Sequence, residues 1–140
     1  MSTSTAHLEL ETVEGTGLRF GVTTGKVAFK LESGPESKVP NPVQAVLCAV
    51  AGCSGMDVIS LLRKKRQRVT HYEIEVTGER REEHPRAFTR IEILHRVRGH
   101  DVSPAAVEDA IRLSDTKYCS VHAMLEPQVK LVSRFEVLPA

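Results

Sequence analysis

The chain has no tryptophan, and aromatic residues fill only 4% of its 140 positions. Its core must therefore be aliphatic. Nor is there an excess of one charge: 19 basic side chains stand against 18 acidic ones, a net charge of +1. That balance excludes a global electrostatic pull toward nucleic acid or an anionic membrane surface. Long apolar runs are missing too. The longest, around Ala45–Ala51, is too short to span a bilayer. The N-terminus, MSTSTAHLELE, has neither a basic start nor an apolar run, so no signal peptide is predicted and the default location is the cytoplasm. Only three cysteines occur. In a reducing compartment they are packing, redox or metal residues rather than structural disulfides. The spacings Cys-x-x-Cys and His-x-x-x-His are absent, so no metal and no cofactor is expected.

What is present is an ordinary soluble composition, 41% hydrophobic and 26% charged, at the length of one domain. HLELETV, GLRFGV and GKVAFKL read as three strands separated by glycine-bearing turns. A polar, proline-rich loop (Glu32–Pro42) leads into a helix that Asn41 caps and Pro42 opens, running to about Arg66. Its basic end, RKKRQR, reads as a solvated helix terminus favoured by the dipole rather than a nucleic-acid patch. HYEIEVTGE and TRIEILHRV alternate as a hairpin. Ser103 and Pro104 open a second helix whose buried face is Val107, Ala110, Ile111 and Ser114. QVKLVSRFEV closes the chain as a strand. The order β-β-β-α-β-β-α-β predicts a single α+β domain over residues 1–140 with antiparallel sheets packed on a long central helix.

The first helix thins its side chains around one thiol, in the segment AVAGCSG (Ala49–Gly55). At about 100° per residue, Cys53 shares a face with Val46, Ala49, Val50, Met56, Asp57 and Ser60, while Cys48 lies nearly opposite. Cys48 and Cys53 therefore cannot pair with each other, and Cys48 reads as a small buried hydrophobe. Cys119 follows the second helix where its pattern weakens, a boundary more accessible than a mid-helix position. Cys53 and Cys119 belong to helical layers that pack on the same sheets. The residues alone leave a redox pair, two unrelated core cysteines and a metal site all open. The scattered histidines read as surface or locally bonded groups.

NPVQAVLCAVAGCSGMDVISLLRKKR followed by SDTKYCSVHAML closely resembles the OsmC/Ohr family of osmotically inducible and organic-hydroperoxide-resistance proteins, most of all its YhfA-type branch. GLRF, EHPRAFTRIEI and SPAAVEDAIRLSDTKYCSV extend the likeness over essentially the whole chain. The resemblance implies an OsmC-like fold in an intertwined homodimer. It also implies a thiol peroxidase of the cytoplasm, without cofactor, in which Cys53 is attacked by an organic hydroperoxide and Cys119 resolves the product as a disulfide. A dithiol reductant would then restore both thiols.

The same resemblance marks departures. The family's peroxidases carry an acidic residue shortly after the start of this helix, orienting an arginine that activates the cysteine; here Val43 and Gln44 occupy the candidate positions. Arg19 is the best match for the arginine, with an exposed strand residue as its plainer role. Val46, Val50 and Met56 would line an apolar pocket beside Cys53. Asp57 either opposes thiolate formation at Cys53 or holds an arginine in place of the missing acid. His122 would be a base or donor near Cys119, or a surface histidine. The alternative function is a non-catalytic dimer of the same fold that binds a small apolar or thiol ligand. A partner-binding module using the basic helix end is the third possibility.

Overall fold

A computed structural model describes all residues from Met1 to Ala140. Its backbone divides into two compact units, Met1–Val46 and Leu47–Ala140. The first unit holds β1 (His7–Leu10), β2 (Leu18–Thr24) and β3 (Val27–Ser33) in an antiparallel meander. Gly25, at φ +57°, makes the two-residue turn between β2 and β3, a position where a left-handed backbone favours glycine. Within this sheet Arg19 stands directly across from Glu32.

Helix α1 (Pro42–Lys64) begins at the end of the first unit. Asn41 and Gln44 cap it reciprocally. The Gln44 backbone N–H donates to Asn41 Oδ1 at 2.8 Å, and the Asn41 N–H donates to Gln44 Oε1 at 3.0 Å. Pro42 takes the first helical position, where its missing N–H costs nothing. At the far end the Gln67 N–H reaches Leu62 O and the Arg66 N–H reaches Arg63 O, both at 3.0 Å, with Arg66 at φ +58°. That is a Schellman stop. The basic run beyond it is exposed, with Lys65 paired to Asp109 at 2.6 Å, as expected for a solvated terminus.

By length and composition alone α1 could cross a membrane: it has 23 residues, and an 18-residue window within it has mean hydropathy 1.9. Core helices of globular domains pass the same test, so this is weak evidence for a span; the uninterrupted apolar run is short, but cysteine, glycine and serine barely interrupt it. In the fold, Val50, Ser54, Val58 and Leu62 form a buried stripe along it, so α1 contributes to a packed interior.

The second unit packs that stripe on a three-stranded sheet of β4 (Arg68–Arg80), β5 (Phe88–His100) and β6 (Lys130–Pro139). Ile91, Ile93, His95 and Val97 alternate inward along β5, the period of two that a half-buried strand requires. Two clusters form the core. Val58, Leu62, Val97, Val102, Val107, Ala110 and Ile111 make one, and Val50, Ile91, Ile93 and Val129 the other.

Two features depart from the expected order. β4 and β5 are antiparallel, but β6 runs parallel to β5, with Ile91 opposite Leu131. A parallel return needs a crossover of a dozen or more residues, and the helical passage between β5 and β6 supplies it. That passage is also richer than one helix. α2 (Pro104–Leu113) widens into a π-helical segment (Ser114–Tyr118), and a short helix α3 (Ser120–Leu125) follows. The expected buried face of α2 is correct: Val107, Ala110, Ile111 and Ser114 are all buried.

Candidate active site

Two places in the second unit supply the site. On α1, Cys53 and Asp57 are four residues apart and so lie one above the other on one face. The other contribution comes from the π-helical segment. There the Cys119 N–H bonds back to Ser114 O at 2.8 Å, five residues away. Such a widened turn inserts one residue into a helix and is a frequent feature of functional sites. It sets Ser114 at one end of the ring and Cys119 at the other, where Cys119 becomes the N-cap of α3.

The outcome is a compact cluster. Cys53 Sγ, Cys119 Sγ and a carboxylate oxygen of Asp57 lie within 4.8 Å of one another. Ser114 Oγ donates to Asp57 Oδ2 at 2.9 Å, and the His122 backbone N–H donates to Cys119 Sγ at 3.4 Å. All three cysteines are free thiols.

The two clustered thiols have different surroundings. Cys53 is half-buried, whereas Cys119 is only 5% exposed. Its helix-boundary position was expected to make it accessible, but it is buried. Burial is the largest influence on Cys119 and pushes its pKa up to about 11; the nearby Cys53 thiol and Asp57 carboxylate push the same way, against the single N–H donated by His122. Cys119 is therefore a protonated thiol at neutral pH. Cys48 is exposed within this chain, not the buried hydrophobe expected, because it projects away from the Val50–Leu62 stripe.

The other anticipated residues are distributed more widely. Val50 is buried in the core against Ile91, Ile93 and Val129, so it fills space rather than lining a cavity. Met56 is 73% exposed and lines an open apolar depression of about 410 Å³ with Ala51, Gly52, Gly55, Ile59, Tyr72 and Ile74. Val46 is half-buried at the end of the first unit. Val50 and Met56, both in the second unit, do not share one enclosed pocket. Gln44 is used up in capping. Arg19 Nε donates to Glu32 Oε2 at 2.9 Å inside the first unit. His122 meets Cys119 through its backbone N–H, while its ring has Nε2 at 2.9 Å from Glu126 Oε1 and Nδ1 at 3.6 Å from Asp115 Oδ1.

Gly55 explains part of the thinning around Cys53. A methyl group there would come within 2.7 Å of Ile74 Cδ1, so the glycine lets α1 approach β4. At Gly52 a methyl group would meet nothing within 4 Å. That face of the helix is open in the single chain.

Sequence reasoning missed the partnership of Ser114 with Asp57. The available signal was a lone hydroxyl at a buried position of the α2 face. It also missed the Tyr72–His95 pair. Tyr72 Oη lies 2.7 Å from His95 Nδ1 with the rings stacked, while His95 Nε2 is buried without a partner. A cleft of about 160 Å³ lined by Asp57, Ser60, Leu61, Lys64 and Tyr118 opens the cluster's acidic side to solvent.

Residues 34–133 match the family model described as OsmC, OsmC-like protein. Protein YhfA of Escherichia coli is 46% identical over 125 residues, 89% of this chain and 93% of that protein. Among solved structures, a hypothetical protein from Aquifex aeolicus superposes with a TM-score of 0.88 at 35% identity, covering 100% of this chain and 99% of that one. The organic hydroperoxide resistance protein OhrB of Bacillus subtilis shares the fold at a TM-score of 0.64 and 13% identity, covering 96% and 98%. With the two cysteine segments, the fold and these relatives in agreement, the chain belongs to the OsmC-like protein family.

Proposed function

We propose that this protein is a thiol peroxidase that reduces organic hydroperoxides in the cytoplasm, as a single-domain subunit of a homodimer. The observation that carries the proposal is the approach of Cys53 Sγ and Cys119 Sγ to within 4.8 Å, from positions 66 residues apart (119 − 53). A disulfide needs its sulfurs about 2 Å apart, so the two free thiols stand near bonding range without being bonded. The fold shared with an organic hydroperoxide resistance protein supports the same chemistry.

The reaction divides between unequal thiols. Cys53, the more accessible, attacks as thiolate; the O–O bond breaks, the alkoxide leaves with a proton as alcohol, and Cys53 becomes a sulfenic acid. Cys119 keeps its proton until then. Its sulfur attacks the sulfenic sulfur, the S–O bond breaks, and hydroxide leaves with the thiol proton as water. A dithiol of the solvent restores both thiols by exchange and carries away the two electrons' worth of oxidation. The family resemblance offers Arg19 as the activating guanidinium, and Glu32, which pairs with it in the first unit, is a candidate for its orienting acid.

An apolar or thiol ligand-binding dimer is the second reading. It is favoured by the Asp57 carboxylate beside both sulfurs, which adds to the burial that keeps Cys119 protonated. Purified protein with an alkyl hydroperoxide and a dithiol separates the two: turnover that disappears in Cys53→Ser supports the peroxidase, and consumption no faster than in buffer supports the ligand-binding dimer.

A further inference from the structure

We infer that Cys53, Asp57 and Cys119 form a binding site for one zinc-class divalent cation per chain. Two sulfurs and a carboxylate oxygen already lie within 4.8 Å of one another. In a tetrahedral zinc site with Zn–S near 2.3 Å, neighbouring ligand atoms are about 3.8 Å apart. The sulfurs therefore need to close by at most about 1 Å, and the shorter Zn–O bond of about 2.0 Å brings the carboxylate oxygen to about 3.5 Å from them, movements that side-chain torsions supply.

Ligand spacing points the same way. Cys53 and Asp57 stand at i and i+4 on one helix face, where both side chains reach the same point. Cys119 closes the set from a second element. Sequence scans for Cys-x-x-Cys or His-x-x-x-His do not detect a Cys-x-x-x-Asp pair completed by a distant thiol. Two soft sulfurs with one carboxylate suit zinc, cadmium or cobalt and disfavour magnesium and calcium, which take oxygen ligands.

The surroundings hold the ligands in place. Ser114 Oγ donates to Asp57 Oδ2, and the His122 N–H donates to Cys119 Sγ; outer contacts of this kind orient metal ligands and raise affinity. The cleft lined by Asp57, Ser60, Leu61, Lys64 and Tyr118 gives a hydrated ion a route in. Three protein ligands leave the fourth tetrahedral position to water. As the cation binds, each thiol releases its proton to solvent, and no electrons are transferred. Cation and disulfide use the same two sulfurs and exclude each other, yet binding itself does not depend on the peroxidase proposal.

Cobalt titration of the fully reduced protein in oxygen-free buffer tests the site. The expected result is a thiolate-to-cobalt charge-transfer band that saturates at one equivalent and is displaced by zinc. Asp57→Asn, Cys53→Ser and Cys119→Ser should each weaken binding by tenfold or more, and Cys48→Ala should leave it unchanged. Ser114→Ala, which touches no ligand sulfur, should weaken it severalfold and serves if a cysteine variant does not fold. No band with the wild-type protein, wild-type affinity in folded Asp57→Asn, or loss of the band in Cys48→Ala would overturn the site. Peroxide turnover is measured separately on metal-free protein. Turnover without a cobalt band removes the metal site and leaves the peroxidase; a band without turnover does the reverse.

Discussion

His95 is fully buried on β5, and burial lowers its pKa from 6.5 to about 4. The folded chain therefore keeps this ring neutral where the unfolded chain protonates it. Between pH 6.5 and 4 the unfolded state binds the extra proton, so stability falls as the pH drops through that window and levels off below it. The loss is on the order of 3 kcal/mol. Urea unfolding of the wild type and His95→Gln across that range checks this: the wild type should lose stability more steeply, and identical slopes would contradict it. Arg19 and Glu32 carry a second residue-scale prediction. If Glu32 orients the activating guanidinium, Glu32→Gln and Arg19→Ala should both slow the first oxidation of Cys53, by about tenfold or more as with other positioned charges in catalysis, with unchanged unfolding midpoints. A rate unaltered in Arg19→Ala would remove Arg19 from the mechanism. At this scale the sequence was informative about identity and poor about environment. Cys53 and Cys119 were identifiable from their segments, but which thiol is covered depends on the turn of chain after α2.

Helix ends were the most legible elements. Asn41, Pro42, Ser103 and Pro104 are local signals, because a cap is satisfied by neighbours in sequence. The Asn41–Gln44 and Ser103–Ala106 hydrogen bonds are where those signals place them. The direction of β6 was not legible, since alternation in QVKLVSRFEV reports a buried face and not the polarity of the neighbouring strand. Nor was the π-helical segment: SDTKY has no apolar period of its own, and its widened turn is fixed by tertiary contacts, among them that of Ser114 with Asp57. Arg66 shows the same limit at the end of α1. It occupies the left-handed stop position usually given to glycine, at φ +58°. Arg66→Gly should relieve this backbone and stabilise the second unit by about 1 kcal/mol. Thermal or urea unfolding reads the gain, and a loss of stability would mean that the arginine side chain contributes more than its backbone costs.

Around the whole molecule, α1 is buried on one stripe and open on another. Met56, Ile59 and Ala51 line an apolar depression, and Gly52 has free space over it. An apolar helix face left uncovered in one chain is the physical case for the proposed homodimer. Gly52→Arg should be tolerated by the fold, because nothing within the chain occupies that space, and should turn a dimer into a monomer. Sedimentation of the wild type should give twice the chain mass at micromolar concentration; a wild-type monomer would contradict the assembly. The central claim is that Cys53 and Cys119 are one redox pair of unequal members. Its most direct test is peptide mass spectrometry after brief exposure of reduced protein to one equivalent of an organic hydroperoxide. The account predicts a Cys53–Cys119 disulfide with Cys48 still reduced, a sulfenic acid on Cys53 in Cys119→Ser, and no rapid oxidation in Cys53→Ser. Equal slow oxidation of all three cysteines, with no peptide linking Cys53 to Cys119, would contradict it.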